Sequence, residues 1–318
     1  MSGKKILVTG GMGFIGRYVV EELLAVGHTP IIFDHHRRGP EDYTKGVEVF
    51  MGDVRDDVAV VEAMAHVDGW IHLAAVLGTQ ETINNPRPAA LSNLMGGLNM
   101  FEAAAQYKLP GVYIAVGNWY MNNSYSITKN MLERFIKMYN ADRGTCINVV
   151  RAVNAYGPRQ LAAAPFGPGK VRKITPSFVC RALAGMAIEV YGGGVQTSDM
   201  VYVGDVATAL VRSLEAAMQG NVFDKVVEVG PEEHHTVYEV ADMVRQIASV
   251  YTNHIVDICS LPMRPGEISN SKVIADVSTL ELVNMHPSTL VGLTEGLMRT
   301  IEYFHSVEGS AWHKDGVK

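Results

Sequence analysis

Along the first half of the chain, short apolar runs alternate with longer segments in which apolar residues recur every three or four positions. The short runs, at residues 6–9, 30–34, 48–51, 69–73, 112–116 and 147–151, have the length of strands. The longer segments, at residues 15–26, 58–65, 89–107 and 125–142, have the spacing of one helix face. This alternation predicts strand–helix–strand crossovers and an α/β fold built on a doubly wound parallel sheet. The texture changes after residues 156–159, and residues 162–170, rich in Ala, Pro and Gly, read as a loop over a binding cleft. A further short strand at residues 226–229 is expected to return to the first sheet. The predicted organisation is therefore a first domain at 1–154 with that returning strand, and a smaller α/β substrate-binding domain from 155–225 and 230–318.

The first strand runs into Gly10-Gly11-Met12-Gly13-Phe14-Ile15-Gly16 and then a helix. Glycines at 10, 13 and 16 allow a tight turn, close approach of backbone to a pyrophosphate, and close helix–strand packing. The helix start offers free N–H groups to the anion, including those of Phe14 and Ile15. Asp34 closes the second strand near the expected distance of about 20 residues. The combination predicts a Rossmann-type dinucleotide site. A carboxylate at Asp34 accepts hydrogen bonds from ribose hydroxyls and repels a 2′-phosphate, so NAD is favoured over NADP. His35, His36, Arg37 and Arg38 leave open either a solvated loop or a phosphate contact. After the third strand comes Gly52-Asp53-Val54, where Asp53 has two readings: an acceptor for the adenine amino group, or a helix cap.

Composition narrows the partners. With 318 residues and 47% hydrophobic content the chain has material for a large core, and a net charge of −6 supplies no basic stripe for nucleic acid. Cys146, Cys180 and Cys259 are widely separated and lack metal-type spacing, which predicts free thiols, a reducing compartment and no metal. No run reaches the roughly 18 to 20 apolar residues needed to cross a bilayer, so a cytoplasmic protein is expected.

Tyr125 and Lys129 lie four residues apart on a predicted helix, hence on one face. Proton abstraction from a hydroxyl needs a phenolate near neutral pH, whereas a free tyrosine titrates near about 10. A cation at about 4 Å in partly screened surroundings contributes roughly 4 kcal/mol, enough to lower that value by about three units.

Taken together, residues 9–16, Gly52-Asp53, His72-Leu73-Ala74-Ala75, Asn93 with residues 96–99, Tyr125 with Lys129 and Glu133, residues 154–160, and Arg264-Pro265-Gly266-Glu267 occur in the order of a known family. The chain resembles the NAD-dependent epimerase/dehydratase family of extended short-chain dehydrogenase/reductases, nearest its UDP-glucose 4-epimerase-like branch. The resemblance implies that Val54, Leu73, Ala74 and Ala75 line the cofactor, and that Lys129 also holds the nicotinamide ribose. It implies a nucleotide-sugar substrate near Thr79, Asn154, Lys173 and Arg264, and a homodimer formed through helices 89–107 and 125–142. It further implies epimerisation, at C4 by the branch resembled, through a transient keto-sugar. A dehydratase, decarboxylase or dehydrogenase on the same scaffold, or a non-catalytic NAD-binding protein, remain as alternatives.

Two departures from the family pattern stand out. The fifth strand ends in Ile114-Ala115-Val116-Gly117-Asn118, without the hydroxyl pair that relatives direct at the substrate. Asn118, Ser124 or Tyr120 are the candidates to replace it. The Thr-Asp-Glu set of related dehydratases is also missing, which favours epimerisation. An arginine usual before Asp199 is Ser198 here.

Overall fold

The computed structural model describes residues 3–35, 46–167 and 173–312. The order along the chain is β1 Lys5–Thr9, α1 Phe14–Ala25, β2 Thr29–Asp34, β3 Glu48–Met51, α2 Asp57–Met64 and β4 Gly69–His72. Next come α3 Thr79–Asn84, α4 Pro86–Ala89, a π-helical turn Ala90–Met95, and α5 Gly96–Tyr107. β5 Gly111–Val116, α6 Ser124–Arg143, β6 Ile147–Ala152 and β7 Asn154–Tyr156 complete the first half. The remainder is α7 Ile174–Leu183, β8 Ile188–Tyr191, β9 Thr197–Ser198, β10 Met200–Tyr202, α8 Val203–Met218, β11 Val227–Val229, α9 Val237–Thr252, β12 Ile258–Leu261, β13 Lys272–Val273 and α10 Leu293–Trp312.

Seven parallel strands form one sheet in the order β11-β6-β5-β4-β1-β2-β3, the Rossmann-type arrangement that the alternating pattern predicts. β11 is the returning strand, pairing Val227 to Val229 beside Val150 to Ala152. The order reverses between β1 and β4, which opens a crevice at their carboxyl ends where ligands of such folds bind. One apolar layer joins Ile6, Val8, Val19, Leu23 and Val150 to Leu210 and Leu214; the other joins Leu7, Phe33 and Tyr113 to Phe101, Leu132 and Ile136.

The second unit differs from the predicted segments. Residues 203–225 were expected to belong with it, yet α8 places Val206, Ala207, Leu210 and Leu214 on the sheet against α1. Leu280, Val283 and Met285 likewise join the sheet layer. The reason is the apolar face of α8, which covers the side of β4, β5 and β6 that would otherwise be wet. The separate core gathers α7, α9 and α10 around Phe178, Val179, Ile188, Val240, Val244, Leu297 and Phe304.

In the predicted helix 89–107 the first turns are π-helical, and the distortion turns Asn93 inward. Its amide accepts from the Val76 N–H at 2.7 Å and donates to the Val76 carbonyl at 3.1 Å and to Thr128 Oγ1 at 3.2 Å. One buried side chain thus ties the loop after β4 to α6. Among the described residues no helix is long and apolar enough to cross a membrane, and no cluster of His, Cys, Asp and Glu is arranged to hold a metal.

The ends of β1 and β4 are pinned together by Thr9. Its hydroxyl oxygen accepts the N–H groups of Leu73 and Ala74, each at 3.2 Å, and lies 2.6 Å from His72 Nδ1. Burial pushes His72 down to about 3, so its ring is neutral, and because the Thr9 oxygen already accepts two N–H groups its own proton is the one directed at Nδ1. Thr9→Val keeps the shape but orphans the Ala74 N–H and His72 Nδ1. A loss of about 2–3 kcal/mol of unfolding free energy is expected in urea denaturation; an unchanged midpoint with an unchanged slope would refute the pin.

Candidate active site

Two of the three motif glycines are demanded by the fold. Gly10 has φ +69°, and a side chain there meets the Ala74 backbone nitrogen at 2.9 Å; at Gly16 it meets the Gly10 carbonyl at 2.3 Å. Gly13 is different: its φ of −75° suits any residue, and only the Gly10 carbonyl lies within 4 Å of an added Cβ. The bare Cα leaves the start of α1 open. Phe14 and Ile15 begin that helix, so their N–H groups belong to its unbonded first turn. This cradle fits a dinucleotide pyrophosphate.

Asp34, at the end of β2, accepts the Met12 N–H at 3.1 Å, which holds its carboxylate over the glycine turn; His35 Nδ1 lies 3.6 Å from its other oxygen. His36, Arg37 and Arg38 lie outside the described residues. Asp53 is gripped by Arg55, whose Nε reaches both carboxylate oxygens at 3.0 Å and whose Nη2 reaches one at 2.6 Å. The Arg55 hydrogen bonds hold Asp53 below the usual carboxylate range. The capping alternative for Asp53 is overturned: Asp56 caps α2 by accepting the Ala59 N–H. Val54 is buried under Gly96, and Leu73, Ala74 and Ala75 leave β4 beside the glycine turn, with the Ala74 backbone against Gly10.

α6 begins beside this crevice. Asn123 caps it, accepting the Ser126 N–H at 2.9 Å, and Tyr125 and Lys129 occupy its first two turns. Lys129 is 1% exposed, with Nζ 4.2 Å from the centre of the Tyr113 ring. Burial pushes its ammonium down to about 7, with Glu133 opposing, and burial pushes the Tyr125 hydroxyl up to about 12. The sequence-based expectation that the lysine lowers the phenol by about three units is therefore not met in the protein alone. Desolvation outweighs attraction for both groups, each being driven toward its neutral form.

The candidates for the missing hydroxyl separate clearly. Ser124 donates to the Thr82 carbonyl at 3.0 Å, while Thr82 Oγ1 accepts the Tyr125 N–H at 3.2 Å and donates to the Gly78 carbonyl at 2.7 Å. Ser124 thus anchors α6 to α3. Tyr120 donates to the Lys272 carbonyl. Asn118 accepts from Ser126 Oγ at 3.2 Å, and its NH₂ group faces Met121 Sδ at 3.3 Å, a weak acceptor. Ser126 carried no signal in the sequence, because its value lies in a contact to a strand end.

On the substrate side, Thr79 opens α3 and its carbonyl accepts from Thr82. Lys173 precedes α7; burial lowers its ammonium, Glu81 opposing and Arg264 reinforcing the shift. α3, the start of α7 and the 264–267 turn therefore converge, with Gly266 against Ile83. Arg264 does not present a free fork: Glu267 binds its Nε at 3.1 Å and also its Nη2, and the guanidinium lies over the Tyr191 ring. Asn154 donates to Ser198 Oγ at 2.6 Å and to the Asp199 carbonyl at 3.1 Å, which joins β7 to β10. Glu267 was legible only as part of a motif; that it faces Arg264 is a property of the turn.

Comparison with known proteins follows the same lines. The NAD dependent epimerase/dehydratase family matches residues 6–230. A UDP-N-acetyl-alpha-D-glucosaminuronate decarboxylase of Bacillus cytotoxicus is 30% identical, covering 96% of this chain and 99% of its own length. A putative UDP-glucose 4-epimerase of Methanocaldococcus jannaschii is 27% identical over 94% of this chain and 97% of its own. The crystal structure of a Thermus thermophilus UDP-glucose 4-epimerase in complex with NAD superposes with a TM-score of 0.81 at 28% identity, covering 95% of this chain and 99% of that one. With its seven-stranded sheet, its glycine cradle and its tyrosine–lysine helix, this chain belongs to the NAD-dependent epimerase/dehydratase family of enzymes.

Proposed function

We propose that this protein is an NAD-dependent nucleotide-sugar epimerase, acting at C4 by transient oxidation to a keto-sugar. The observation that supports it is the placement of Tyr125 and the buried Lys129 on the first turns of α6, beside the crevice between β1 and β4. NAD, when bound, supplies the hydride acceptor and a positive ring. The Gly10 to Gly16 turn holds its pyrophosphate, Asp34 its ribose hydroxyls, and Lys129 the nicotinamide ribose. Tyr125 removes the proton of the ring hydroxyl and returns it after the keto intermediate has turned over. Asn118 donates to the same sugar oxygen, oriented by Ser126. Lys173 and Arg264 face the diphosphate, with Thr79 at the sugar.

The Bacillus relative favours a second reading, decarboxylation of a sugar acid, which shares the first oxidation step. Mass spectrometry of UDP-sugars and UDP-uronates incubated with the enzyme separates the two: unchanged mass with altered stereochemistry supports epimerisation, loss of carbon dioxide supports decarboxylation, and no conversion of any substrate refutes both. The second core formed by α7, α9 and α10 is read as the substrate unit. A homodimer through the helical segments 89–107 and 125–142 is supported by the exposed apolar side chains Met95, on the π-helical turn before α5, and Ile127, Met131 and Met138 on α6. We place the protein in the cytoplasm on its free cysteines.

Three variants test the machinery. Tyr125→Phe is expected to lower kcat by about 10²–10⁴-fold with NAD affinity retained, by steady-state kinetics and calorimetry. Gly13→Ala is expected to weaken NAD binding at least tenfold with only a modest drop in thermal midpoint, because the added methyl projects into the cradle and on the protein side meets only the Gly10 carbonyl, at 3.0 Å.

Lys129→Met is expected to abolish turnover and yet raise stability at pH 7 by about 2 kcal/mol. The sign follows from the buried ammonium: between about pH 7 and 10.5 the unfolded chain holds more protons than the folded one, so wild-type stability rises with pH through that window. The variant loses both the penalty and the slope. Denaturation at pH 7 and 9.5 measures both.

A further inference from the structure

Behind Lys129 the structure holds charges that the reaction itself does not use. One turn further along α6 stands Glu133, 7% exposed, and its Oε2 accepts from Arg151 Nη2 at 2.6 Å. Arg151, 8% exposed at the end of β6, reaches with its other nitrogen to Glu228 on β11. Glu228 is fixed in turn by the Asp276 N–H at 2.8 Å. Trp119 lies over the Arg151 guanidinium at 5.5 Å.

Two further observations give this row a direction. Glu133 Oε1 is buried and has no hydrogen-bond partner among the described residues, so one lone-pair face of the carboxylate is not used by Arg151. A buried carboxylate left half satisfied is costly unless a positive charge is near, and on an α-helix the nearest position is i−4, which is Lys129. The groups around Lys129 are Glu133 on its own helix, with Tyr125 one turn before it, His72 from β4 and Tyr113 from β5, with Arg151 and Glu228 behind Glu133. His72 and Tyr113 are neutral, since burial lowers the first and raises the second. The charged groups are then Lys129 and Arg151 against Glu133 and Glu228, in alternating order.

The alternation matters because a lone Glu133–Arg151 pair is already neutral and offers little to Lys129. Glu228 neutralises Arg151, which leaves the Glu133 charge acting on the lysine. The geometry points to Glu133, Arg151 and Glu228 as positioning residues that oppose the loss of the Lys129 proton inside a dry site, so that more of it is held as a cation on the helix face it shares with Tyr125. The effect on turnover rests on the proposed function, whereas the charge state of Lys129 does not.

The test is NMR titration of the Lys129 side chain in isotopically labelled protein, its signal assigned by absence in Lys129→Met. Glu133→Gln is expected to lower the Lys129 titration midpoint by about one unit or more. Glu228→Gln should lower it by less, and Arg151→Met should raise it, because Glu133 then faces the lysine alone. Should Arg151→Met fail to fold, Arg151→Lys, which preserves the charge, is expected to leave the midpoint in place. In kinetics, the alkaline limb of kcat/KM moves toward neutral pH in Glu133→Gln by the same amount as the titration. An unmoved midpoint in Glu133→Gln, or a shift of the same sign in Glu133→Gln and Arg151→Met, overturns the proposal. Turnover that survives Tyr125→Phe would instead sink the proposed function and leave the titration result standing.

Discussion

A single ammonium group, withdrawn from water and laid over the Tyr113 ring, sets the terms for this protein's centre. Lysine is among the residues least often buried, because desolvation of its charge is opposed only by what the fold brings near it. Here the fold brings an aromatic face at 4.2 Å and a carboxylate one helical turn away. The same dry surroundings raise the Tyr125 hydroxyl, so the protein alone holds an acid and a base that are both close to neutral. Additional charge brought into the crevice would act on both groups through the same low-dielectric surroundings.

Around that centre the polar groups are engaged to a degree that the motifs alone do not reveal. Thr9 holds two strand ends and a neutral histidine, Asn93 holds a loop to a helix, and Thr82 holds Ser124 and the Tyr125 backbone. Each is a buried side chain that satisfies several partners, so each fixes geometry at the mouth of the crevice. Such networks are stiff, because removing one member leaves the others unpaired. The start of α6 is thereby held in register with the glycine turn through a series of polar contacts, and Tyr125 and Lys129 inherit the precision of the sheet.

The substrate side is organised differently. Arg264 is forked by Glu267 and Lys173 is tempered by Glu81, so cations suited to a diphosphate are already paired with carboxylates of the same region. Held near carboxylates in this way, they sit in partly buried surroundings at modest electrostatic cost.

What the amino-acid order determined by itself was whatever depends on local periodicity and spacing. Six strands, their crossover helices, the returning strand at 226–229, the glycine cradle and the shared face of Tyr125 and Lys129 all follow from repeats of two, three or four residues. The tertiary structure alone decided which long-range partners each group meets. It moved α8 from the expected second domain onto the sheet, because an exposed sheet face had to be covered. It gave the capping role to Asp56 and tied Asp53 to Arg55, turned Ser124 into an anchor, and set Glu133, Arg151 and Glu228 behind the lysine from three separate elements. Charge states belong to this second class for the same physical reason: a pKa responds to burial and to neighbours in space, and neither is encoded in the distance between residues along the chain.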